Sequence, residues 1–481
     1  MLFNSLEYLL FLPAVVFANF LLPPRLRWIL LLLASYLFYA CWKAEYLVLI
    51  IASTLVDYVA ALRMPVAATP GRRRAWLGIS LAANLGLLFT FKYFNFFNES
   101  IRILVTSIGL PYEIPSLDVL LPVGISFYTF QTLSYTVDVY RGQREPERHL
   151  GRFALYVAFF PQLVAGPIER STRLLPQLWR ETRFDWERTL RGIQLILWGL
   201  FKKLVVADRL AVYVDAVYRS PEEVSGAPLL IATYFFAFQI YCDFSGYSDI
   251  AIGSASILGY DLMENFRRPY FSRSIAEFWR RWHISLSSWF RDYVYLPLGG
   301  NRVAPRRWQA NLMIVFLVSG LWHGASWTFV AWGALHGGYL VLSVATRDIR
   351  ARLADVTGLL RHPRLMAAVQ IFTTFHLVLL GWVFFRARSL GDAVYVLRQM
   401  RPWQGWSLDG ITVGLREFEL ILGVLSIAFL LFFDALHRGG SSREILPRRP
   451  TWKRWLAFYS LLFGILVLGR FSSEEFIYFQ F

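Results

Sequence analysis

The stretch ANLMIVFLVSGLWHGASWTFVAWGALHGGYLVLSVA, residues 310–345, contains no Asp, Glu, Lys or Arg. An apolar run of this length exceeds the ~20 residues that a helix needs to cross the hydrocarbon core of a bilayer. Of its two histidines, His323 lies near its middle, in VSGLWHGASW (318–327), and His336 lies further on. For one helix beginning near Ala310, a rise of ~1.5 Å per residue places His323 deep in the bilayer rather than at its boundary.

Similar apolar blocks recur along the chain. Its 481 residues are 56% hydrophobic and 17% charged, whereas a soluble domain has about 25% charged residues, and the mean hydropathy is +0.44. Blocks of this length favour helices over a barrel. We therefore expect an all-α polytopic membrane protein of roughly 10–12 transmembrane helices, with one domain over residues 1–481. The candidate spans are 26–42, 45–62, 76–98, 119–137, 190–207, 227–252, 310–345, 366–385, 418–433 and 455–469, with weaker ones at 2–22 and 153–167.

The basic residues lie beside these spans. The net charge is +16, and arginine-rich stretches occur at 71–76, 141–152, 361–364 and 441–454. Basic residues that flank apolar spans are the positive-inside signal of cytoplasmic loops. We therefore assign them to cytoplasmic loops in contact with the lipid bilayer, and not to nucleic-acid binding. The first apolar segment lacks the basic start of a signal peptide and is expected to be a retained helix.

Several chemistries are not supported by the sequence. Cys41 and Cys242 are far apart and have no metal-ligand or C-x-x-C spacing, which argues against a disulfide framework, a zinc site or a redox pair. The chain has no G-x-S-x-G, G-x-G-x-x-G, H-E-x-x-H or P-loop motif. We expect no metal and no permanently bound cofactor.

The segment 262–309 is rich in both arginine and aromatic residues. Phe278, Trp282, Leu286 and Trp289 recur at spacings of three and four, which indicates one apolar helix face. The segment is too polar to span the bilayer and too aromatic for a free linker. It therefore fits an amphipathic or re-entrant helix at the cytoplasmic interface.

His323 has two interpretations. A structural one is a single interhelical hydrogen bond between closely packed helices, since the pairs Gly320/Gly324 and Gly333/Gly337 have the small-x-x-x-small spacing. The other is a functional group, which is the default for an ionisable residue inside a membrane. His336 lies 13 residues further on, about 140° around a straight helix, so it is not expected to share a site with His323.

Three more ionisable residues interrupt apolar surroundings. His283 lies in the aromatic segment, where a structural role is the ordinary one. Asp243 and Asp249 interrupt the run 239–253 and are about 120° apart on a helix. That separation suits the lining of a polar cavity, or bonds to a neighbouring helix, better than a paired acid and base. A neutral histidine in a dry cavity suits one task, removal of a proton from a hydroxyl.

Four stretches resemble the membrane-bound O-acyltransferase family. They are FFPQLVAGPIERS (159–171), YCDFSGYSDIAIG (241–253), FWRRWHISLSSWFRDYVYLPLGGNR (278–302) and SGLWHGASWTFVAWGALHG (319–337). The similarity covers most of the chain, is densest over 239–337, and is nearest to the bacterial branch that O-acetylates alginate. Cys242 stands where many relatives have Phe.

The resemblance implies a ring of helices around a central tunnel, with donor and acceptor reaching His323 from opposite faces of the membrane. It identifies His323 as the catalytic histidine and His283 as a second polar position beside the donor route. The donor is expected to be acetyl-CoA or an acyl-carrier thioester. The substrate-binding and tunnel positions are expected at Asp243, Trp322, Trp282, Arg280 and Arg281.

The acceptor side is expected to need a partner, a periplasmic protein that delivers the acetyl group to an exopolysaccharide such as alginate. A cytoplasmic carrier protein is a second expected partner. A D-alanyl transferase that acts towards teichoic acid would use the same tunnel and histidine. A proton-coupled transporter with His323, Asp243 and Asp249 as a relay is the alternative from another class, but the sequence shows none of the internal symmetry common in transporters.

Overall fold

The computed structural model describes residues 1–164, 166–401, 403–413, 415–436, 451–471 and 476–477. Every regular element in these ranges is a helix, which confirms the predicted all-α class. The chain divides into two compact units, Met1–Ile196 with Ile250–Met263, and Leu197–Asp249 with Glu264–Phe481. The functional single-domain assignment to residues 1–481 stays a prediction.

Six helical segments within the described ranges are long and apolar enough to cross a membrane, which confirms a polytopic membrane protein. Two shorter apolar helices, Leu6–Leu21 and Trp455–Leu468, accompany them. The ring, the tunnel and the total of 10–12 spans stay predictions. The six segments are Pro24–Arg63, Pro70–Ser107, Ala227–Ile257, Trp327–Ala345, Pro363–Arg386 and Glu417–Leu436.

One buried carboxyl group of the first unit is held by two polar neighbours. Asp57 is fully buried and accepts hydrogen bonds from Ser80 Oγ at 2.6 Å and from Asn84 Nδ2 at 2.9 Å. Such bonds satisfy a carboxyl group where water is excluded. The helices of this unit are Leu6–Leu21, Pro24–Lys43, Leu47–Arg63, Pro70–Leu88, Phe94–Ser107, Ile125–Tyr140, Leu150–Ala158, Phe160–Leu163, Ser171–Leu178 and the start of Trp186–Leu200.

Two sequence assignments in this unit need correction. The weak candidate span 153–167 is two short helices separated at Phe159, and its described residues are buried in the protein. The second helix begins at Phe160, and Pro161 lies in its first turn, where its missing N–H costs no hydrogen bond. The arginines of 71–76 lie in the first turns of the helix Pro70–Leu88 and not in a loop.

Of the basic stretch 441–454, residues 441–450 lie outside the described residues.

The second unit contains all the predicted site residues. Its longest helix, Ala227–Ile257, has 31 residues and continues into the first unit. A π-helical segment, Phe201–Ala207, precedes it in the chain. The other helices are Asp208–Arg219, Ile275–Arg281, Ile284–Phe290, Pro305–His323, Trp327–Ala345, Arg347–Val356, Pro363–Arg386, Leu390–Gln399, Leu408–Thr412, Glu417–Leu436 and Thr451–Leu468.

The run 310–345 is not one helix. It forms a hairpin of two helices, Pro305–His323 and Trp327–Ala345, here named the histidine hairpin. The first helix ends at His323, Gly324 is extended, and the second helix begins after Ser326, whose side chain accepts the N–H of Thr328 as an N-cap. The straight-helix angle between His323 and His336 was therefore a wrong basis for separating them.

The aromatic segment also departs from one continuous helix. It breaks between Ile275–Arg281 and Ile284–Phe290, at Trp282 and His283. The predicted apolar face is nevertheless buried, since Phe278, Trp282, Leu286 and Trp289 are each less than a tenth exposed. The break turns consecutive side chains in different directions and places His283 at the N-cap of the second short helix.

Candidate active site

Glycines hold the two helices of the histidine hairpin in close contact. A Cβ atom on Gly320 would lie 2.3 Å from the carbonyl oxygen of Phe329, and one on Gly333 would lie 2.3 Å from that of Phe316. Only glycine permits backbones to approach this closely. The predicted small-residue packing is therefore confirmed, but it joins the two arms of one hairpin.

His323 lies at the turn of this hairpin among aromatic rings. It is 2% exposed. The ring centroids of Trp332 and Trp322 are 4.9 and 5.0 Å from that of His323, both nearly perpendicular to it. Phe385, from the helix Pro363–Arg386, lies at 5.4 Å. Three aromatic side chains therefore enclose the His323 ring.

His283 comes from a separate segment and meets His323 there. The centroids of the two imidazole rings are 6.5 Å apart, and Trp322 lies 5.8 Å from His283. His283 is fully buried. Burial lowers the pKa of His283 to about 3, so this ring is neutral at physiological pH. The structure thus brings together the two histidines that the resemblance singled out, with Trp322 beside both.

Asp243 directly precedes a residue that contacts His283, but its own carboxylate is engaged elsewhere. Its carboxylate accepts from Lys203 Nζ at 2.6 Å, and its other oxygen accepts the backbone N–H of Ile477 at 2.7 Å. The neighbouring Phe244 supplies the contact to the site, because its ring centroid is 4.6 Å from that of His283. The connection between Asp243 and His283 is therefore indirect and runs through Phe244.

Two buried lysines were missed in the sequence. Lys203 pairs with Asp243 and also with Asp208 at 2.8 Å, while Lys202 pairs with Asp249 at 2.6 Å. Each lysine is less than a twentieth exposed. The signal was present, since two adjacent lysines interrupt the apolar run 190–207. Aspartates and lysines in separate spans are expected to pair where burial would leave either charge alone.

The remaining predicted residues differ in their burial and contacts. Trp282 is buried against Trp382, with ring centroids 4.9 Å apart. Arg280 is exposed, and Arg281 is half-buried and pairs with Glu277 at 2.6 Å. These two arginines are on the chain segment that leads directly to His283.

His336 is nearer to His323 than the sequence indicated. Both rings contact Trp332, at 5.0 Å from His336 and 4.9 Å from His323. Reversal of the chain at Gly324 removes the rotation that a straight helix would have imposed. Within the described ranges, no group of three or more His, Cys, Asp or Glu side chains is arranged to hold a metal ion.

The comparison with known proteins decides the family. The family model of the membrane-bound O-acyltransferases matches residues 147–386. The probable alginate O-acetylase AlgI of Pseudomonas putida is 39% identical over 100% of both chains. The chain belongs to the membrane-bound O-acyltransferase family. It is a multi-pass membrane protein and an O-acyltransferase, and the matched region includes both histidines.

The names of two further relatives of this O-acyltransferase state different polymers as their substrates. The peptidoglycan O-acetyltransferase of Helicobacter pylori is 33% identical, with 100% of this chain and 98% of the relative covered. The teichoic acid D-alanyltransferase of Streptococcus thermophilus is 30% identical, but only 54% of this chain and 67% of the relative are covered. The two O-acetylating relatives therefore match along the full length, and the D-alanylating one matches about half.

Proposed function

We propose that this O-acyltransferase moves acetyl groups from a cytoplasmic thioester across the inner membrane for O-acetylation of an exopolysaccharide such as alginate. The observation that carries the proposal is the meeting of two buried histidines from separate segments, with ring centroids 6.5 Å apart. The full-length match to O-acetylating relatives supports acetyl as the acyl group.

In this proposal His323 is the general base. Its unprotonated ring nitrogen takes the proton of an acceptor hydroxyl, whose oxygen attacks the thioester carbonyl and forms a C–O bond. Collapse of the tetrahedral intermediate breaks the C–S bond, and the departing thiolate recovers the proton from the imidazolium. The oxyanion needs hydrogen-bond donors, and the indoles of Trp322 and Trp332 pack against the His323 ring. His283 orients the donor.

The charge distribution supports a phosphate-bearing acyl donor, and a protein partner is proposed for the acceptor side. The arginines beside His283 suit the phosphates of coenzyme A or of a phosphopantetheine arm, because guanidinium groups bind phosphate through charge-assisted hydrogen bonds. On the opposite face, a periplasmic protein is proposed to receive the acetyl group and to deliver it to the sugar hydroxyls. Acetylation of polymer by the purified O-acyltransferase alone would contradict the need for that partner.

The deciding experiment measures O-acetyl esters on the polymer of cells that carry the wild type, His323→Ala or His376→Ala at matched membrane levels. His376 is the control, since it lies on the helix Pro363–Arg386 and bonds to Tyr234 Oη at 2.7 Å. Loss of a general base lowers the rate about 10²–10⁴-fold. We expect loss of esters in His323→Ala and their retention in the control.

Retained esters in His323→Ala would make His323 structural and would move the mechanism to His283 and the aspartates. The same cells distinguish the acyl group, because release of D-alanine instead of acetate on mild alkaline treatment would replace the acetyl proposal by the D-alanyl one.

A further inference from the structure

His283 has a backbone conformation that side chains rarely adopt. Its φ is +43° and its ψ is +56°, in the left-handed region. For a residue with a Cβ atom this conformation is sterically disfavoured. Strained backbone of this kind persists only where surrounding contacts hold it, and it concentrates at functional sites. The contacts that hold His283 are therefore of interest for the reaction.

Two backbone hydrogen bonds bracket the strained turn. The N–H of Arg267 donates to the carbonyl of Arg281 at 2.9 Å, before the turn, and the N–H of Ile284 donates to the carbonyl of Asn265 at 2.9 Å, after it. The stretch 265–267 therefore lies alongside the turn at Trp282 and His283. Asn265 is the member of this stretch that contacts the residue directly after His283.

The side chain of Asn265 adds three more hydrogen bonds. Its Oδ1 accepts from Ser285 Oγ at 2.6 Å and from the Ser285 N–H at 3.3 Å. Its Nδ2 donates to Ser248 Oγ at 3.1 Å. All three residues are at most 1% exposed, so the bonds form where water does not compete. The side-chain amide of Asn265 thus links Ser285, two residues after His283, to the helix Ala227–Ile257.

That link and the ring contact of His283 use the same helix. Ser248 lies four residues after Phe244, one helical turn along the same face. Phe244 meets the His283 ring at 4.6 Å and an interplanar angle of 84°. His283 is therefore fixed to this helix at two points, through its ring at Phe244 and through its backbone by Asn265.

We propose that Asn265 is a positioning residue of the acyl transfer, whose side chain holds the His283 ring in place beside His323 by clamping residue 285 to Ser248. This inference rests on the proposed function, in which both histidines act. It assigns a role to a buried amide that contacts neither donor nor acceptor. Displacement of a reacting group by about 1 Å lowers rates about 100-fold.

The test compares two buried asparagines. Asn265→Ala removes the side-chain bonds to Ser285 and Ser248 and keeps the backbone bond to Ile284. Asn311→Ala is the control, because Asn311 is 3% exposed and donates to the carbonyls of Leu298 and Gly300, away from the histidines. Rates of acetate incorporation into polymer are measured in cells with matched membrane levels, and melting temperatures are measured on the full-length proteins in detergent. We expect Asn265→Ala to lose 10- to 100-fold in rate at a melting temperature equal to that of the control, which keeps the wild-type rate.

A double-mutant cycle separates positioning from a general loss of structure. If Asn265 acts through His283, Asn265→Ala changes the rate less than 2-fold in a His283→Ala background, whereas a structural effect multiplies with it. Where His283→Ala has no measurable rate, Ser248→Ala decides instead. A reduced rate at an unchanged melting temperature supports the clamp, and a wild-type rate overturns it.

His323→Ala is measured in the same series. If that variant keeps the wild-type rate, the proposed function itself fails. If it loses the rate while Asn265→Ala keeps it, only the role of Asn265 fails. Parallel losses of rate and melting temperature in both asparagine variants would also overturn the positioning role.

Discussion

The close packing of the histidine hairpin, which carries His323, predicts a loss of stability in one variant. The magnitude of that loss follows from one distance. Gly333 lies on the helix Trp327–Ala345 directly after Trp332, whose ring contacts His323. A methyl group at this position would lie 2.3 Å from the carbonyl oxygen of Phe316, and ordinary contacts begin at 3.4 Å. Gly333→Ala therefore forces the two helices apart by roughly 1 Å, because the opposing atom is backbone and has no rotamer to change.

Overpacking of this kind costs about 1–3 kcal/mol. Gly338→Ala is the matched control, since it lies on the same helix and its Cβ atom meets nothing within 4 Å. Without that clash, alanine is the better helix former by up to about 1 kcal/mol. The two substitutions are chemically identical and should therefore change stability in opposite directions.

The assay is thermal unfolding of the two full-length variants in the same detergent, together with acetate incorporation into polymer in cells. We expect Gly333→Ala to melt below the wild type and to lose roughly 10- to 100-fold in rate, because the shift moves Trp332 relative to His323. Gly338→Ala should melt at or above the wild type and keep its rate. Equal melting temperatures and equal rates in the two variants would refute the close approach at Gly333.

Two further predictions concern charged residues. Lys203→Met leaves the buried carboxylate of Asp243 without its cation and should destabilise the protein by about 3–5 kcal/mol. The control Arg102→Met breaks an exposed pair and should cost at most about 1 kcal/mol. Similar melting temperatures of the two variants would contradict the buried pairing. Arg280→Ala and Arg281→Ala should each raise the apparent KM for acetyl-CoA in membrane preparations, and an unchanged KM in both would remove these arginines from donor binding.

The Lys203 prediction has a structural reason that the sequence did not reveal. Lys203 and Asp243 are 40 positions apart in the chain and come from different helices. Hydropathy treats each as an isolated interruption of an apolar run. Their 2.6 Å contact arises because two helices pack at that level, and Gly246 permits it, since a Cβ atom there would lie 2.7 Å from the carbonyl oxygen of Gly199.

The sequence by itself determined the helical class, the membrane setting and the identity of His323 as the residue to examine. These three conclusions depend on local composition. A run of ~20 apolar residues without charge forms a helix in lipid, and an ionisable residue inside a membrane is by default a functional candidate. The long motifs shared with relatives added His283. Helix limits such as 24–43 and 363–386 also lie close to the predicted spans 26–42 and 366–385.

Only the tertiary structure decided how these residues meet. The run 310–345 is apolar on both sides of Gly324, so hydropathy shows no turn there, although Gly324 and Ser326 are residue types that end and begin helices. The turn places His323 at a helix end, and the left-handed turn at His283 aims a second imidazole towards it. Both depend on contacts between distant segments, including Asn265 with Ser248, which no local pattern of residues encodes.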